Sequence, residues 1–243
     1  MTLAYTFAPT REPGAERELQ KKRYVGESEL LHDAYRLGVQ IHRSGFRPTF
    51  IVGLWRGGST VGIAVQECLQ YLGLVTDHIS IRTSYRGLES YRSMVENPEA
   101  EIRVHGTQYL LDTLSPDDQL LLVDDVFGSG QTMGAVLDRL ESRLKRNMPR
   151  EVRIAVPWYK PTRNRTDRRP DYHVNTTDDW LVMPYELSGL SADEIAAHKR
   201  WLLPILERMD TPLDPPLDEA GSDTGTGGDT GGRTGGGSTE RGR

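Results

Sequence analysis

Residues 120–132 read LLLVDDVFGSGQT, and this stretch decides which fold the sequence predicts. Four apolar residues at 120–123 predict a buried strand, and a helical pattern begins at Thr132. Two adjacent carboxylates, Asp124 and Asp125, follow the strand directly. Because ligands of open parallel sheets bind beyond the carboxyl ends of the strands, this acidic pair lies where a ligand is expected.

The segment after the acidic pair offers a second kind of chemistry. It leads into a helix, whose first N–H groups and partial positive charge favour an anion. Its glycines let a phosphate approach the backbone, and Ser129 and Thr132 add hydroxyl donors. Neither a Walker P-loop nor a dinucleotide fingerprint is present. The carboxylates can bind hydroxyl groups or a metal ion, and the neighbouring amides can bind a phosphate. A ribose 5-phosphate offers both kinds of group. The simpler alternative is an acidic pair that only caps the helix.

Strand and helix patterns alternate through the rest of the chain. Apolar runs predict strands at 50–55, 78–82 and 152–156. Helical patterns are predicted at 59–73 and 132–144, around Leu30, Ala34, Leu37 and Ile41 with Ser28 as N-cap, and from the capping-box sequence SADE at 191–194. Apolar strands that alternate with helices predict an α/β fold with a mostly parallel central sheet flanked by helices.

Composition narrows the classes of function. The 243 residues carry a net charge of −5 and the pI is about 5.7, which argues against a general nucleic-acid binder. The single cysteine, Cys68, excludes an internal disulfide and a cysteine-based metal site. No run approaches the roughly 18 apolar residues of a membrane helix, and no signal-peptide pattern is present. We therefore expect a soluble cytoplasmic protein with no membrane partner.

LLLVDDVFGSGQT resembles the signature of type I phosphoribosyltransferases, which bind phosphoribosyl pyrophosphate (PRPP). The resemblance implies that Asp124 and Asp125 hold the ribose hydroxyls and act as catalytic residues. It implies that the next segment wraps the 5′-phosphate through Gly128, Ser129, Gly130, Gln131 and Thr132. It also implies that the fold is the type I phosphoribosyltransferase fold, with a small C-terminal hood over the base site.

Two further stretches agree with this resemblance. FIVGLWRGGSTVG (50–62) is similar to the family's pyrophosphate loop, which implies that Arg56 faces the pyrophosphate as a catalytic residue beside the amides of Gly57 and Gly58. TSY (83–85) lies where the family has a mobile lid, which implies that Ser84 and Tyr85 belong to it. A lid would exclude water from a reaction that competes with hydrolysis.

Residues 159–187 resemble the base-binding hood of xanthine-guanine and hypoxanthine-guanine phosphoribosyltransferases. The resemblance implies that Lys160 contacts the 6-oxo group of the purine, that Trp180 stacks on the ring and that the backbone of Leu181 reads the purine edge. Glu186 takes the place of a family acid that helps to hold magnesium and pyrophosphate. The implied metal ligands for Mg²⁺ are thus Asp124, Asp125 and Glu186.

One position departs from the family pattern. Oxopurine members carry an aspartate four residues after the first acid of the pair, where it acts as general base, and this chain has Gly128 there. The main expectation is purine salvage, the transfer of the 5-phosphoribosyl group from PRPP to guanine, xanthine or hypoxanthine. Two alternatives stay open: a PRPP- or nucleotide-binding regulator with weak or no turnover, and a transferase for another acceptor.

Composition and the resemblance together predict how the chain is organised. We expect a loosely ordered arm at 1–24, a phosphoribosyltransferase domain at 25–208 with its hood at about 159–190, and a disordered Gly/Thr/Asp-rich tail at 211–243. Family members are usually dimers or tetramers, so a homo-oligomer is expected. The arginines at 163, 165, 168 and 169 are interpreted as a solvated loop in preference to a phosphate or nucleic-acid patch.

Overall fold

The computed structural model describes residues 21–85 and 102–207. Its strands are β1 (Lys22–Tyr24), β2 (Phe50–Trp55), β3 (Asp77–Tyr85), β4 (Ile102–His105), β5 (Gln119–Val123), β6 (Val126–Phe127), β7 (Glu151–Tyr159), β8 (Tyr172–Thr176) and β9 (Trp180–Val182). Its α-helices are α1 (Glu27–Arg43), α2 (Gly57–Tyr71), α3 (Gln108–Thr113), α4 (Gln131–Leu144), α5 (Ala192–His198) and α6 (Leu203–Glu207). Short 3-10 turns occupy Lys145–Asn147, Pro161–Arg163 and Arg200–Leu202.

The central sheet runs in the order β4-β3-β2-β5-β7, and both β6 and β8 also pair with β7. All of these pairs are parallel except β3 with β4. In the register of β2 and β5, Gly53 pairs with Val123. The ends of these two strands therefore bring the Arg-Gly-Gly turn and the acidic pair to the same edge of the sheet.

Two apolar clusters cover the two faces of the sheet. One joins α1 and α2 to sheet residues such as Ile51 and Leu121, and the other joins α3 and α4 to residues such as Val52 and Leu122. Successive strand residues thus enter opposite clusters, because side chains alternate between the faces of a strand. This arrangement confirms the predicted α/β fold with a mostly parallel sheet flanked by helices.

The antiparallel pair of β3 and β4 frames the segment that the sequence assigned to a lid. Tyr85 pairs with Ile102, and Ser84 pairs with Arg103. The side chain of Tyr85 and residues 86–101 lie outside the described residues, so the lid assignment stays a prediction. Ser84 is described, and its Oγ lies 2.8 Å from Nε2 of His105.

The chain divides into two compact units, one that ends at Ser188 and one that begins at Gly189. In the second unit, Ser191 caps α5 through the predicted capping box with Glu194. The predicted tail (211–243) and the predicted arm (1–24), apart from residues 21–24, lie outside the described residues. None of the helices within 21–85 and 102–207 has the length and apolar character needed to cross a bilayer.

Candidate active site

The acidic pair lies directly beyond β5 and is held by backbone groups. The N–H of Asp124 donates to the carbonyl of Ala155 at 3.2 Å. The carboxylate of Asp124 accepts the N–H of Asp125 at 2.9 Å and the N–H of Gly58. Burial, followed by the charge of Asp125, raises the pKa of Asp124 well above its ordinary value. This environment therefore favours the neutral form of Asp124 despite two backbone donors.

The two glycines of the Arg-Gly-Gly turn pack against the acidic pair. A Cβ at Gly58 would collide with the carbonyl of Val123 and lie 2.8 Å from the Cα of Asp124. A Cβ at Gly57 would collide with the carboxylate of Asp125 and with the hydroxyl of Tyr185. A side chain at Gly58 would thus meet backbone, whereas one at Gly57 would meet only the ends of side chains. This contact joins the predicted pyrophosphate turn to the predicted ribose-binding acids.

Residues 128–132, the phosphate loop, end at the amino terminus of α4. Gly130 is the N-cap and has a φ of 79°, which favours glycine. It packs against the side chains of Asn164 and Thr166. The Oγ of Ser129 accepts the N–H of Gln131 at 3.3 Å. The N–H groups and partial positive charge at the start of a helix favour an anion at this terminus.

Lys160 and Trp180 are brought together at the edge of the same site. The Nζ of Lys160 donates to the carbonyl of Asp179 at 2.7 Å, and Trp180 follows as the first residue of β9. Burial and the nearby Arg163 lower the pKa of Lys160, while Asp178, Asp179 and Asp125 act in the opposite direction. A lysine ammonium has three donors, so two remain for a ligand.

The side chain of Leu181 lies in the core. It is 7% exposed, and in the register of β1 and β9 Leu181 pairs with Arg23. The N–H of the preceding residue, Trp180, donates to the carbonyl of Lys21 at 3.0 Å. The backbone role that the sequence suggested for Leu181 stays a prediction.

Arg56 and Glu186 face each other across the site. The Nη2 of Arg56 lies 3.7 Å from Oε1 of Glu186, and the guanidinium carbon lies 6.0 Å from the centre of the Tyr185 ring. The other oxygen of Glu186 accepts the N–H of Met183 at 3.3 Å. Within the described residues, no group of three or more His, Cys, Asp and Glu side chains is arranged to hold a metal ion. Asp124, Asp125 and Glu186 thus form no ready-made metal cage.

Tyr185 is a site residue that the sequence reasoning missed. Its hydroxyl donates a short hydrogen bond to the carboxylate of Asp125. Burial, followed by the negative charges of Asp125, Asp124 and Glu186, raises the pKa of Tyr185 strongly, so the phenol keeps its proton. In the Pro-Tyr-Glu sequence at 184–186 only Glu186 had a predicted role, and the aromatic residue directly before that acid was the available signal.

Known proteins share sequence or fold with this chain. The chain is 28% identical over 144 residues to phosphoribosyltransferase domain-containing protein 1 from Homo sapiens, an alignment that covers 59% of this chain and 60% of that protein. The fold is similar to a purine phosphoribosyltransferase from Pyrococcus horikoshii (TM-score 0.53, 21% identity, 70% of this chain and 97% of that chain). It is also similar to a hypothetical protein from Neisseria gonorrhoeae with bound ppGpp (TM-score 0.56, 18% identity, 76% of this chain and 97% of that chain).

The chain spans 60% of the length of its human relative, and at these identities the solved structures support the fold. A family model described as the phosphoribosyl transferase domain matches residues 26–188, which is most of the chain. The match includes the acidic pair, the Arg-Gly-Gly turn, the phosphate loop and the residues around Lys160 and Trp180. The chain therefore belongs to the phosphoribosyltransferase domain family.

Proposed function

We propose that this protein transfers the 5-phosphoribosyl group from PRPP to a 6-oxopurine base and releases pyrophosphate. The observation that carries the proposal is the position of Lys160, whose ammonium lies beside the start of β9 at Trp180 and within electrostatic reach of Asp125. A cation and an aromatic face next to a diol-binding acidic pair suit a purine beside a ribose. The fold is also shared with a purine phosphoribosyltransferase.

The sugar phosphate would be held from two sides. Asp124 and Asp125 accept the ribose hydroxyls, and the phosphate loop binds the 5′-phosphate through backbone N–H groups at the start of α4. Binding energy from these remote groups orients the anomeric carbon for displacement. Arg56, at the other side of the acidic pair, faces the departing pyrophosphate and stabilises its charge.

Mg²⁺ fits the acidic pair in the way that this ion usually binds, through one or two carboxylates together with phosphate oxygens and waters. Asp124 and Asp125 would hold it, and Glu186, which faces Arg56, would act on the pyrophosphate side. When bound, Mg²⁺ supplies positive charge against the pyrophosphate. The residues of the chain position the ribose and the phosphate around it.

The acceptor base would be selected by Lys160 and Trp180. An ammonium can only donate hydrogen bonds, so it favours a carbonyl at position 6 and disfavours the amino group of adenine. Stacking on an indole is worth about 1–3 kcal/mol for any base. Lys160 therefore supplies the discrimination and Trp180 supplies affinity.

The test is pyrophosphate release from PRPP in the presence of guanine, xanthine, hypoxanthine or adenine. We expect release with at least one oxopurine and about tenfold or more slower release with adenine, since a site built around one hydrogen-bond pattern rejects the other. Equal rates with adenine would make the Lys160 assignment wrong. Adenine discrimination that persists in Lys160→Met would also contradict it.

A second candidate is a nucleotide-binding regulator with weak or no turnover. Two observations favour it: position 128 carries glycine where a catalytic acid is expected, and the fold is shared with a protein that was solved with bound ppGpp. The same measurement separates the candidates. Calorimetric binding of PRPP without pyrophosphate release on any of the four bases would favour the regulator.

Aspartate at position 128 is expected to accelerate an oxopurine transferase. A Cβ at Gly128 meets nothing within 4 Å, and the residue lacks a positive φ, so the side chain can be accommodated. General acid–base help is worth about 10²–10⁴-fold, and we expect Gly128→Asp to gain about 10²-fold in kcat. Gly128→Asn is the matched control without the acid. Equal rates in the two variants would show that the proton leaves by another route.

Phenylalanine at position 185 is expected to weaken the binding of PRPP while leaving the fold intact. Without the phenol, Asp125 loses the donor that orients its carboxylate toward the ribose. A hydrogen bond to a charged group contributes about 1.5–3 kcal/mol, so KM for PRPP should rise about tenfold with a smaller change in kcat. The control is Tyr71→Phe, because Tyr71 is 91% exposed. An unchanged KM for PRPP in Tyr185→Phe would contradict the positioning role.

A homo-oligomer, dimer or tetramer, is expected from the family resemblance, and analytical ultracentrifugation of the full chain tests it. Cytoplasmic purine salvage is the cellular role that we propose for the reaction.

A further inference from the structure

A surface cavity of about 390 Å³ has none of the acidic pair or the phosphate loop in its lining, and here it is called the distal cavity. It is formed by the carboxyl half of α4, the start of β7 and the chain just before β8. Its lining includes the apolar side chains of Leu137, Val152 and Ile154, here called the floor, and the charged side chains of Arg150, Arg168 and Arg169, here called the rim. The volume falls within the range of small-molecule sites.

The guanidinium groups at the rim are available for an anion. Arg168 has only a long ion pair, 3.9 Å from Glu141, and both side chains are about half exposed. Arg169 makes no ion pair within the described parts of the chain. Arg150 pairs with Asp117 at 2.7 Å on the open surface, where such pairs contribute little. Arginine is the side chain best suited to bind phosphate with two parallel hydrogen bonds.

The rest of the cavity suits a ligand that is larger than phosphate. The apolar floor can contact a flat ring, and the carboxylate of Glu141 can accept hydroxyl or amino donors. Asp171 also borders the cavity, but one of its oxygens already accepts the N–H of Ile154 at 2.8 Å. A mononucleotide has a phosphate for the arginines, a flat base for the apolar floor and donor groups for the carboxylate of Glu141. We therefore expect a ligand of this class.

Direct contacts connect the distal cavity to the phosphate loop. The carbonyl of Arg168 accepts the Nδ2 of Asn164 at 2.8 Å, and the Oδ1 of Asn164 lies against Gly130. The N–H of Arg165 donates to the carbonyl of Ser129 at 3.0 Å. In addition, α4 begins at the phosphate loop and lines the cavity with its later turns. A ligand that fixes Arg168 would therefore act on the segment that shapes the 5′-phosphate site.

We propose that the distal cavity is a second, regulatory anion site that takes a mononucleotide and is coupled to the phosphate loop through Asn164. By linkage, a nucleotide bound there changes the affinity for PRPP, and PRPP changes the affinity for the nucleotide by the same factor. The arginine cluster, expected from the sequence to be only a solvated loop, thus gains a function.

The test is equilibrium binding of AMP, GMP and inorganic phosphate to the full chain, with and without PRPP. We expect a nucleotide-binding component that weakens about tenfold or more in Arg168→Ala/Arg169→Ala, because two charge-assisted partners are lost. The matched control is Arg143→Ala, an exposed arginine on α4 outside the cavity lining. Thermal unfolding checks that all variants are folded.

Three results would overturn the proposal. The first is nucleotide binding that is identical in the double variant and in the wild-type chain. The second is inorganic phosphate binding as tightly as AMP and GMP, which would mean that the apolar floor contributes nothing. The third is an effect of nucleotide on the affinity for PRPP that is equal in the double variant and in the wild-type chain, since competition at the ribose phosphate site would then explain it without coupling. The first two results do not depend on transfer activity, so a failure of the proposed reaction is distinguishable.

Discussion

Alanine at position 57 is expected to leave the protein folded and to lower phosphoribosyl transfer by about 10²-fold or more. The added Cβ would collide with the carboxylate of Asp125 and the hydroxyl of Tyr185. Both colliding groups are ends of side chains, so they can move aside while the backbone stays in place. Displacing a substrate-positioning group by about 1 Å can cost about 10²-fold in rate. The measurement is kcat/KM for PRPP together with the midpoint of thermal unfolding.

Alanine substitutions at two other glycines serve as comparisons for this prediction. A Cβ at Gly62, in the same helix, would lie 3.8 Å from the Cα of Gly53, which is an ordinary van der Waals contact. Gly62→Ala should therefore keep full activity and stabilise α2 by about 0.5–1 kcal/mol. Gly58→Ala instead meets the backbone of Val123 and Asp124 and should destabilise the fold by about 1–3 kcal/mol. Full activity in Gly57→Ala would mean that the turn does not set the position of Asp125.

Local sequence patterns predicted the parts of the site that depend on short stretches of chain. β5 and α4 differ from the expected strand at 120–123 and helix at 132–144 by one residue at the start of each. The apolar run, the acidic pair and the glycines are consecutive, so backbone preferences and burial act together there. The pairing of β2 with β5, which brings the two motifs to one edge of the sheet, came from the structure.

Features that depend on distant contacts were not predictable in the same way. The hydrogen bond from Tyr185 to Asp125 joins residues 60 positions apart, and nothing local in the sequence specifies it. The prediction of Ser28 as N-cap was wrong, since α1 begins at Glu27 with Gly26 as its N-cap. The backbone of Gly26 is extended and follows the paired strand β1, which explains the earlier start of the helix. β7 continues to Tyr159, beyond the expected 156, because pairing with β6 and β8 extends it.

Asparagine at position 124 is expected to separate stability from activity. The neutral amide cannot accept the ribose hydroxyls as a carboxylate does, and the loss of a hydrogen bond to a charged group corresponds to about 10²-fold in kcat/KM. Stability should change in the opposite direction. Burial and the charge of Asp125 raise the pKa of Asp124, so the folded protein favours a neutral side chain at this position. Replacing a functional side chain whose charge the fold disfavours commonly stabilises a protein by about 0.5–2 kcal/mol.

The sign of the pH dependence follows from the raised pKa of Asp124. Between its unfolded and folded pKa values, the folded wild-type protein binds more protons than the unfolded chain, so its stability falls as pH rises through that window. Asp124→Asn lacks this titration. The stability advantage of the variant should therefore be absent at acid pH, grow as pH rises and level off above the folded pKa of Asp124.

Urea unfolding of the two proteins across this pH range measures the effect, with Asp138→Asn as the control because Asp138 is an exposed acid on α4. The control should keep both its activity and the wild-type pH profile. An Asp124→Asn variant that is less stable than wild type at neutral pH would mean that the two backbone donors, Asp125 and Gly58, outweigh the cost of the buried charge. A variant that is more stable yet fully active would remove Asp124 from the ribose site. The joint outcome, greater stability with lost transfer, is expected only if the charge is kept for the substrate at the expense of the fold.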